Sequence, residues 1–498
     1  MAKRTAVIDL GSNSMRLAIY ERTSRWAFFT LAEFKTKVRL ASGGYNSAGE
    51  ISKASMQRAI DGFCEFAQIA KAHKCHKIYA VGTSALRDAP NSSELISAVK
   101  RECNINLKVI DGKMEAILGA TAAANLLAPF KKGVTIDIGG GSTELALVEN
   151  GRICKAISLN LGTVRLKELF FDNKNTANLK SFLADAIKGV IDDFRCENII
   201  AIGGSLRALS SAIISRERYP ISTLHNFEYK LSVHEEYLSS VANSTVLGLE
   251  RLSIKKERFD TIREGAHIFL AVAKALGVKR VITSGVGVRE GVFLNDFLGL
   301  YLNKRAEVKS GELGLMLAKF ANGLNPGLKS LIDRFNVNPN RNIKNYAKAI
   351  FEALSPVHKL ENCYIQELLT ASKLINIGSN IGFYNDHKNS AYIVLNSLNY
   401  GYTHEQKALI AAIIGTNGKK SVYEYDKLEK LLPPAYVVRW LSFMLYLARA
   451  LDISCAGAKL EFTYENQALS IIGGRGLSLA KDEIKKLAKP DTFAISFV

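Results

Sequence analysis

The sequence predicts an α/β protein with two related lobes, followed by a mainly helical domain. Three observations lead to this fold class: one motif occurs twice within residues 1–300, strand-like and helix-like segments alternate around both copies, and long helical patterns follow beyond Leu300. With 498 residues, the chain is also longer than the roughly 250–300 residues at which a single hydrophobic core stops growing. We therefore expect several domains.

The repeated motif begins at Asp9 and at Asp137. The first copy reads Asp-Leu-Gly-Ser-Asn-Ser-Met-Arg-Leu-Ala-Ile, and 128 positions later the second reads Asp-Ile-Gly-Gly-Gly-Ser-Thr-Glu-Leu-Ala-Leu. In each copy a β-branched run ends in Asp, a turn of small residues follows, and an apolar strand comes next. This order is typical of a β-hairpin around a tight turn. The duplication predicts two lobes that face each other.

Alternating elements continue both lobes. In the first lobe the pattern predicts helices at residues 55–73 and 91–102 and strands at 77–83 and 107–110. In the second lobe it predicts strands at 134–138, 145–148, 199–202 and 280–284, and helices at 165–170 and 177–194.

The last third of the chain has a different pattern. Helical periodicity covers residues 312–320, 343–354, 367–375, 405–414 and 435–451, and alternation at 459–464 and 468–472 predicts a small hairpin. We place the first lobe at residues 1–128, the second at 129–303 and the helical domain at 304–498. The absence of a low-complexity linker favours domains that pack closely.

The chain is strongly basic. An excess of 66 Lys and Arg over 47 Asp and Glu gives a formal charge of +19, and such a field concentrates anions around a protein. A polyanionic partner is favoured, although an ordinary solvated, lysine-rich surface explains the charge equally well. We expect no nucleic acid as the partner.

Cysteine usage and hydropathy indicate a cytoplasmic protein without a membrane segment. The seven cysteines are an odd number without zinc-ligand spacing, so reduced thiols are expected. The first residues lack a signal peptide, and no apolar run reaches the roughly 18 residues that a membrane span needs.

Three turns of small residues follow predicted strands and are candidates for phosphate binding. Glycines in such turns allow the backbone to approach a phosphate, so that successive amides can donate to it. One such turn is more often only a tight turn, but three of them, two related by duplication, favour function. Their residues are Gly11, Ser12, Asn13 and Ser14; Gly139, Gly140, Gly141, Ser142 and Thr143; and Gly203, Gly204 and Ser205.

These segments resemble the exopolyphosphatase and guanosine pentaphosphate phosphohydrolase family, within the superfamily of acetate kinase, sugar kinases, Hsp70 and actin. The resemblance implies two actin-like (ribonuclease H-like) lobes with the active site in the cleft between them. Longer members of the family add a helical domain related to HD phosphohydrolases. The matching segments are residues 6–17 (AVIDLGSNSMRL), 82–89 (GTSALRDA), 109–116 (VIDGKMEA), 136–145 (IDIGGGSTEL), 203–210 (GGSLRALS) and 284–291 (SGVGVREG).

The resemblance implies hydrolysis of a terminal phosphoanhydride, in inorganic polyphosphate or in guanosine pentaphosphate, which would become guanosine tetraphosphate. Such hydrolysis needs an oriented water, a base and positive charge around the transferred group. Glu115 matches the family's catalytic glutamate, and Glu144 is the alternative base, which the sequence does not rank against it. Without the resemblance, Glu115 would be interpreted as a solvated carboxylate at a helix start.

The same motifs contain candidates for metal and phosphate binding. Asp137, Glu144 and Asp9 would hold Mg²⁺ or another divalent cation, because hard cations prefer carboxylate oxygens. Asp9 could instead only cap its turn. Guanidinium groups bind phosphate oxygens bidentately, and the candidates for this role are Arg16, Arg87 and Arg289.

The arginines also indicate how the two lobes differ. Arg16 and Glu144 occupy the same place in the two repeats, which indicates one charge-binding half and one half that handles metal or water. For Arg289 a surface salt bridge is the alternative interpretation.

The helical domain is expected to have a degenerate metal site. An HD site needs His and Asp ligands near residues 374–378, but Ile375 and Asn376 occupy those positions. An aliphatic side chain cannot ligate a metal, so we expect no HD-type centre, although Asp386 and His387 lie nearby. The domain would then extend a basic trough for a long substrate or form a homodimer interface.

Two other functions are compatible with the phosphate-binding turns. A phosphotransferase of the same superfamily would need ATP and an acceptor pocket, and a non-catalytic sensor would bind polyphosphate or guanosine tetraphosphate without turnover. The motif set and the retained carboxylates favour the hydrolase, with polyphosphate as the main substrate and guanosine pentaphosphate as the second.

Overall fold

The computed structural model describes residues 3–25, 27–40, 49–173, 175–189, 191–297, 326–335, 342–418, 423–453, 457–473 and 477–498. Contacts divide the chain into two units, Met1–Asn325 and Pro326–Val498, and each has its own hydrophobic core. The lobe and domain boundaries proposed from the sequence stay predictions. Within these described segments, no helix is both long enough and apolar enough to cross a bilayer.

The first unit contains two mixed sheets with helices around them. Its strands are β1 (Lys3–Leu10), β2 (Ser14–Ser24), β3 (Ala27–Lys37), β4 (Lys77–Gly82), β5 (Leu107–Val109), β6 (Lys132–Ile138), β7 (Thr143–Glu149), β8 (Arg152–Leu159), β9 (Asn198–Ile202), β10 (Glu228–Lys230) and β11 (Arg280–Thr283). Its helices are α1 (Lys53–Ala72), α2 (Ser84–Asp88), α3 (Ser92–Cys103), α4 (Gly112–Leu126), α5 (Thr163–Leu166), α6 (Leu179–Lys188), α7 (Ile191–Phe194), α8 (Gly204–Arg216), α9 (Leu231–Ala242), α10 (Ile262–Leu276) and α11 (Val288–Phe297). A π-helical turn spans Lys167–Phe171, and 3-10 turns span Leu247–Glu250 and Lys256–Arg258.

The two sheets have the same topology, which confirms the duplicated α/β fold. The first sheet has the order β3-β2-β1-β4-β5, and the second has the order β8-β7-β6-β9-β11 with β10 added at one edge. In both sheets the first three strands of the order are antiparallel, and the next two join in parallel. The parallel pairs carry buried, β-branched residues because both faces of these strands are covered.

Two helices join the lobes of the first unit. Helix α4 follows the first sheet in the chain but packs on β7 and β8 of the second, with Ala116 and Ala120 against Ala146 and Val148. Small side chains allow this close approach of helix and sheet. Helix α11 follows the second sheet but packs on α4 and β1.

The second unit is mainly helical, as the sequence predicts. Its helices are α12 (Pro326–Arg334), α13 (Ile343–Ala353), α14 (Ser355–His358), α15 (Ile365–Leu374), α16 (Asp386–Ser397), α17 (His404–Gly415), α18 (Ala435–Leu451) and α19 (Ser478–Lys485), with 3-10 turns at Asn362–Tyr364, Ile377–Asn380 and Tyr423–Leu431. The strands β12 (Glu461–Glu465) and β13 (Ala468–Ile472) form the expected hairpin, and β14 (Ala494–Phe497) adds a parallel third strand that we did not predict.

The structure corrects three sequence-based expectations. Residues 177–194 form two helices, α6 and α7, instead of one, and the helix expected at 165–170 is the short α5 continued by the π-helical turn. Cys64 of α1 and Cys103 of α3 form a disulfide, so the expectation of reduced thiols is wrong for this pair. The helix expected at 312–320 lies outside the described residues.

Candidate active site

The two hairpins place their polar residues in matching cross-strand rows. In the first sheet Asp9 of β1 is the register partner of Arg16 of β2. In the second sheet Asp137 of β6 is the register partner of Glu144 of β7. Directly opposed residues of neighbouring strands point to the same face of the sheet. The duplicated scaffold thus presents a carboxylate and a guanidinium group in one lobe and two carboxylates in the other.

The turns of the two hairpins contact each other across a cleft. A Cβ atom on Gly140 would lie only 2.7 Å from the Cβ of Ser12, which is closer than any such pair of carbon atoms can approach. The third turn lies next to the cationic groups, because a Cβ on Gly204 would lie 2.8 Å from Nη1 of Arg258 and 3.3 Å from Nη2 of Arg16. Gly203 of the same turn has a φ of +87°, in the left-handed region that favours glycine. The three small-residue turns therefore meet around one site.

The cleft contains a cavity of about 150 Å³. Most residues proposed from the sequence line it: Asp9, Gly11, Ser12, Asn13, Ser14, Arg16, Glu115, Asp137, Gly139, Gly140, Ser142, Gly203, Gly204, Ser205 and Arg289.

The structure does not place the other four residues on the cavity wall. The Thr143 hydroxyl, proposed to bind phosphate, is buried and donates to the Leu161 carbonyl at 2.6 Å. Gly141, Glu144 and Arg87 also lie behind the lining. Arg87 instead donates from Nη1 to Oε2 of Glu115 at 3.2 Å. Its position supports an indirect role, through Glu115, instead of direct contact with a phosphate.

Glu115 lies in the first turn of α4. Asp111 caps this helix by accepting a hydrogen bond from the Met114 amide at 2.7 Å. The Glu115 side chain is buried, so its interpretation as a solvated helix-start carboxylate is wrong. Burial raises its pKa well above the ordinary value, with further contributions from Glu144 and Asp137, while Arg87 opposes the shift.

Glu144 and Asp137 share this acidic environment. Glu144 is buried, and Ser158 of β8 donates to its Oε1 at 2.7 Å. Desolvation and the charge of Asp137 raise the pKa of Glu144 to about 7. Desolvation also raises the pKa of Asp137 to about 6, although Arg207 opposes this shift. Because three neighbouring carboxylates repel one another, the acidic half favours a proton or a cation among them.

The cleft also contains cations that the sequence analysis missed. Arg207 of α8 lies in the quoted segment 203–210 and donates to the Ser284 and Val286 carbonyls, at 2.8 and 3.1 Å. Lys35 and Lys37 of β3 line the cavity as well, together with Arg258 of the 3-10 turn. The spacing of Lys35 and Lys37 at alternate positions of a strand was the one signal that could have revealed them.

The arginines of the cleft lie close enough to repel one another. Burial, Arg289 and Arg207 lower the pKa of Arg16 to about 10. Arg289 is 6% exposed, so it lies in the wall of the cleft and not at the open surface. Its Nη2 lies 3.7 Å from Oε1 of Glu33. Burial lowers the pKa of Arg289, but Glu290 and other acidic neighbours outweigh it and leave the pKa raised. An anion in the cavity would relieve this repulsion.

Glu290 supports the Arg289 segment. Its side chain is buried and accepts hydrogen bonds from the Tyr20 hydroxyl at 2.5 Å and from the Gly287 amide at 2.7 Å. These contacts fix the start of α11 against β2. No sequence pattern indicated this role, because Tyr20 and Glu290 are far apart in the chain.

The carboxylates of the cleft fit a divalent cation only if a bound substrate supplies further oxygen ligands. Asp9, Asp137 and Glu144 offer oxygen donors, which hard cations prefer, but no group of three or more His, Cys, Asp or Glu side chains suited to holding a metal occurs in the described parts of the chain. Mg²⁺ commonly uses one or two carboxylates, several waters and the phosphates of a substrate. The donor set is consistent with that mode.

In the second unit, the residues at and near the positions of an HD site make other contacts. Ile375 is buried in the core, and the Asp386 carboxylate forms an ion pair with Arg449. His387 Nδ1 lies 3.8 Å from Oδ1 of Asp386. The expectation that this unit lacks an HD-type centre stays a prediction.

Two lobes of equal topology, whose glycine-rich turns meet at a cationic and acidic cleft, have the architecture expected of an actin-like protein. Residues 18–299 match the Ppx/GppA phosphatase family, and residues 327–470 match domain III of the Ppx/GppA phosphatases. The chain belongs to the Ppx/GppA phosphatase family. This assignment confirms the family resemblance and the predicted fold class.

Relatives and solved structures agree with the family match. The chain is 26% identical over 436 residues to a guanosine-5'-triphosphate,3'-diphosphate pyrophosphatase of Aeromonas hydrophila, covering 85% of this chain and 82% of that protein. It is 28% identical over 420 residues to the protein of that name from Photobacterium profundum, covering 82% and 79%. The structure of an exopolyphosphatase from Cytophaga hutchinsonii is 26% identical, with a TM-score of 0.55, and covers 60% of this chain and 98% of its own. A family member from Aquifex aeolicus, 24% identical with a TM-score of 0.52 over 60% of this chain and 99% of its own, shares the fold.

Proposed function

We propose that this protein hydrolyses the terminal phosphoanhydride of inorganic polyphosphate and of guanosine pentaphosphate, which becomes guanosine tetraphosphate. The observation that carries the proposal is the pairing of a cationic row with an acidic row across one cleft. Arg16 faces the cleft from one hairpin, and Asp137 faces it from the equivalent position of the other repeat, next to Glu144. The names of the two pyrophosphatase relatives and of the exopolyphosphatase structure support both substrates.

Glu115 is our candidate for the base. It lines the cavity, whereas Glu144 does not. A water attacks the terminal phosphorus, the bond from this phosphorus to the bridging oxygen breaks, and the departing chain keeps the electron pair of that bond. The water proton passes to the Glu115 carboxylate. The raised pKa of Glu115 strengthens it as a base, and the Arg87 guanidinium 3.2 Å away favours its ionised form.

The other residues of the cleft bind and orient the substrate in this proposal. The turns at residues 11–14, 139–142 and 203–205 offer amides to the terminal phosphate, except those of Gly11 and Gly139, which donate to the Ser14 and Ser142 carbonyls within their own turns. Arg16 and Arg289 neutralise its charge. The hydrogen bond from Ser158 fixes the Glu144 carboxylate beside Asp137, its register partner on the neighbouring strand.

The family generally depends on a divalent cation. We propose Mg²⁺ and assign Asp137, Glu144 and Asp9 to hold it together with the substrate. When bound, such a cation would neutralise the charge that develops on the phosphate oxygens. A cytoplasmic location, a homodimer and a role for the second unit in holding long substrates stay predictions.

The replacement Glu115→Gln tests the proposed base. Because the amide cannot accept the water proton, we expect turnover on both substrates to fall by about 10²- to 10⁴-fold, with substrate binding retained. The measurement is initial-rate phosphate release from long polyphosphate and from guanosine pentaphosphate, in the presence of magnesium. The matched control is Glu94→Gln, which changes an exposed glutamate of α3.

The same assay separates the alternatives. Near-normal turnover of Glu115→Gln would exclude Glu115 as the base and would leave Glu144 as the candidate. Phosphate transfer from ATP to an acceptor, without release from polyphosphate, would identify a phosphotransferase. Tight binding without any phosphate release from the unmodified protein would indicate a sensor.

A further inference from the structure

Two lysines of β3 extend the cationic row of the first sheet to its edge. Lys35 of β3 is the register partner of Arg16, which is itself the partner of Asp9. Lys37, two residues further along the same strand and therefore on the same face, is the partner of Ser14 in the first phosphate turn. Both lysines are exposed and line the cavity.

The direct opposition of Arg16 and Lys35 is unfavourable for the protein alone. Like charges at directly opposed positions of neighbouring strands destabilise a sheet. Lys35 has no ion pair within 4.0 Å among the residues that the structure describes, and Glu257 is the carboxylate that acts on it, against Arg258 and Arg16. A phosphate chain in the cavity would neutralise Arg16, Lys35 and Arg258 together and so relieve this repulsion.

The equivalent row of the second sheet carries no cation. Its members are Asp137, Glu144 and, in the place of Lys35, Ser158 of β8. The Ser158 hydroxyl donates to Glu144. At the third position of the row, the second lobe has Ser158, which hydrogen-bonds to Glu144. The first lobe has Lys35 there, a positively charged residue.

We propose that Lys35 and Lys37 form a second anion subsite, which binds the phosphates that follow the terminal one in the substrate. Neighbouring strands are about 4.8 Å apart, so the backbone of Lys35 is about 10 Å from that of Asp9 and lies one strand beyond Arg16. The lysines therefore extend the cavity away from Asp9, in the direction in which a chain of linked phosphates would leave the cleft over β3. The subsite rests on the proposed function, because it binds the part of the substrate that departs.

The test compares substrates of different phosphate number. In the full-length protein, Lys35→Gln and the double replacement Lys35→Gln with Lys37→Gln are assayed for phosphate release from polyphosphates of defined length and from guanosine pentaphosphate. We expect kcat/KM for substrates with several linked phosphates to fall about tenfold or more, mainly through KM, because a charge-assisted contact is lost. The loss should grow with the number of linked phosphates and should be smallest for the shortest polyphosphate. Lys35→Arg should restore most of the loss.

The control and a stability measurement distinguish binding from structure. Lys108→Gln removes the same charge from an exposed position of β5, at the opposite edge of the same sheet, and should leave the length dependence unchanged. Lys35→Gln should keep or raise the melting temperature, because it removes a like-charge contact. A lowered melting temperature with an unchanged length profile would mean a structural lysine and would overturn the subsite. A wild-type protein that releases phosphate from none of these substrates would instead refute the proposed function.

Discussion

At the scale of single residues, burial controls the charge of the acidic groups in this protein. Glu115 and Glu144 are both buried within the first unit, and both have a raised pKa. Hydrogen-bond donors favour ionisation of both, Arg87 for Glu115 and the hydroxyls of Ser142 and Ser158 for Glu144. The environment thus keeps two carboxylates near the point where small changes alter their protonation, which general acid-base chemistry requires.

Glu264 of α10 is buried without this compensation. Its side chain has no solvent exposure, and neither carboxylate oxygen accepts a hydrogen bond from another side chain, although its own backbone amide opposes the rise in pKa. Arg263 is its nearest cation, with Nη2 3.8 Å from Oε1. Burial therefore raises the pKa of Glu264 to about 7. The neutral form is favoured inside the folded protein, and the charged form is costly.

The replacement Glu264→Gln should stabilise the protein at alkaline pH. The raised pKa means that the folded state binds a proton that the unfolded state releases, so this contribution to stability is complete below about pH 4.5 and is lost as the pH rises through about 7. We expect the variant to gain on the order of 2 kcal/mol over the wild type at pH 8.5, and much less at pH 5. Thermal unfolding at the two pH values measures this difference. An equal effect at both would contradict the assignment.

At the scale of elements, the turns between strands control how closely the two lobes approach. The hairpin turns touch at Ser12 and Gly140, and the third turn contacts the guanidinium groups of Arg16 and Arg258. A side chain added at Gly140 would have to displace a turn, whereas one added at Gly204 would meet the ends of two arginine side chains. The spacing of the two hairpin turns therefore depends on glycine at position 140.

The replacement Gly140→Ala should separate the turns. The new methyl group would lie 2.7 Å from the Cβ of Ser12, so we expect a loss of at least tenfold in kcat/KM, because small displacements of the site are costly for catalysis. Phosphate release from polyphosphate measures it.

A second variant separates the clash from other effects of this replacement. Ser12→Gly, added to Gly140→Ala, removes the opposing atom. The double variant should recover part of the activity lost by Gly140→Ala, relative to Ser12→Gly alone. Activity that stays equally low in the double variant would show that the contact between the turns is not the cause.

Local patterns made the two hairpins predictable, but distant contacts were not. A β-branched run, an aspartate and a small-residue turn lie within a dozen residues of one another, so β1, β2, β6 and β7 could be inferred directly. The strands β3, β8, β10 and β14 were missed, because each is stabilised by partners that the local pattern does not contain.

The composition of the site was predictable only where a motif contains it. The turns were predicted from their small residues and Glu115 from the resemblance, whereas Lys35 and Arg258 line the cavity from segments without a motif. Glu290 lies in the quoted segment 284–291, but nothing in the sequence indicated its contact with Tyr20. The disulfide of Cys64 and Cys103 likewise depends on the packing of α1 against α3. Contacts between side chains far apart in sequence follow from the fold and cannot be read from spacing.

At the scale of the whole molecule, two solved family structures correspond in length to only part of this chain. The structures from Cytophaga hutchinsonii and Aquifex aeolicus align over 98% and 99% of their own chains but cover 60% of this one. Each of the two units of this protein has a separate core. The cavity that contains the candidate catalytic residues is lined by residues of the first unit.

A fragment of residues 1–325 should therefore fold without the second unit. We expect a cooperative thermal transition, because the fragment keeps its two sheets and their cores. It should also release phosphate from short polyphosphates at a rate within about tenfold of the full chain. Circular dichroism and phosphate release measure the two properties. An unfolded fragment would show that the helical unit is needed for the stability of the lobes.

The lysines at the edge of the first sheet have an additional consequence for solubility. β3 is the outermost strand, and Glu33, Lys35 and Lys37 are exposed along it at every second position. An open strand edge is a template onto which another chain can add by backbone hydrogen bonding, and charged side chains oppose such growth. The same ammonium groups would then protect the folded protein against fibril-like self-association whenever no anion covers them.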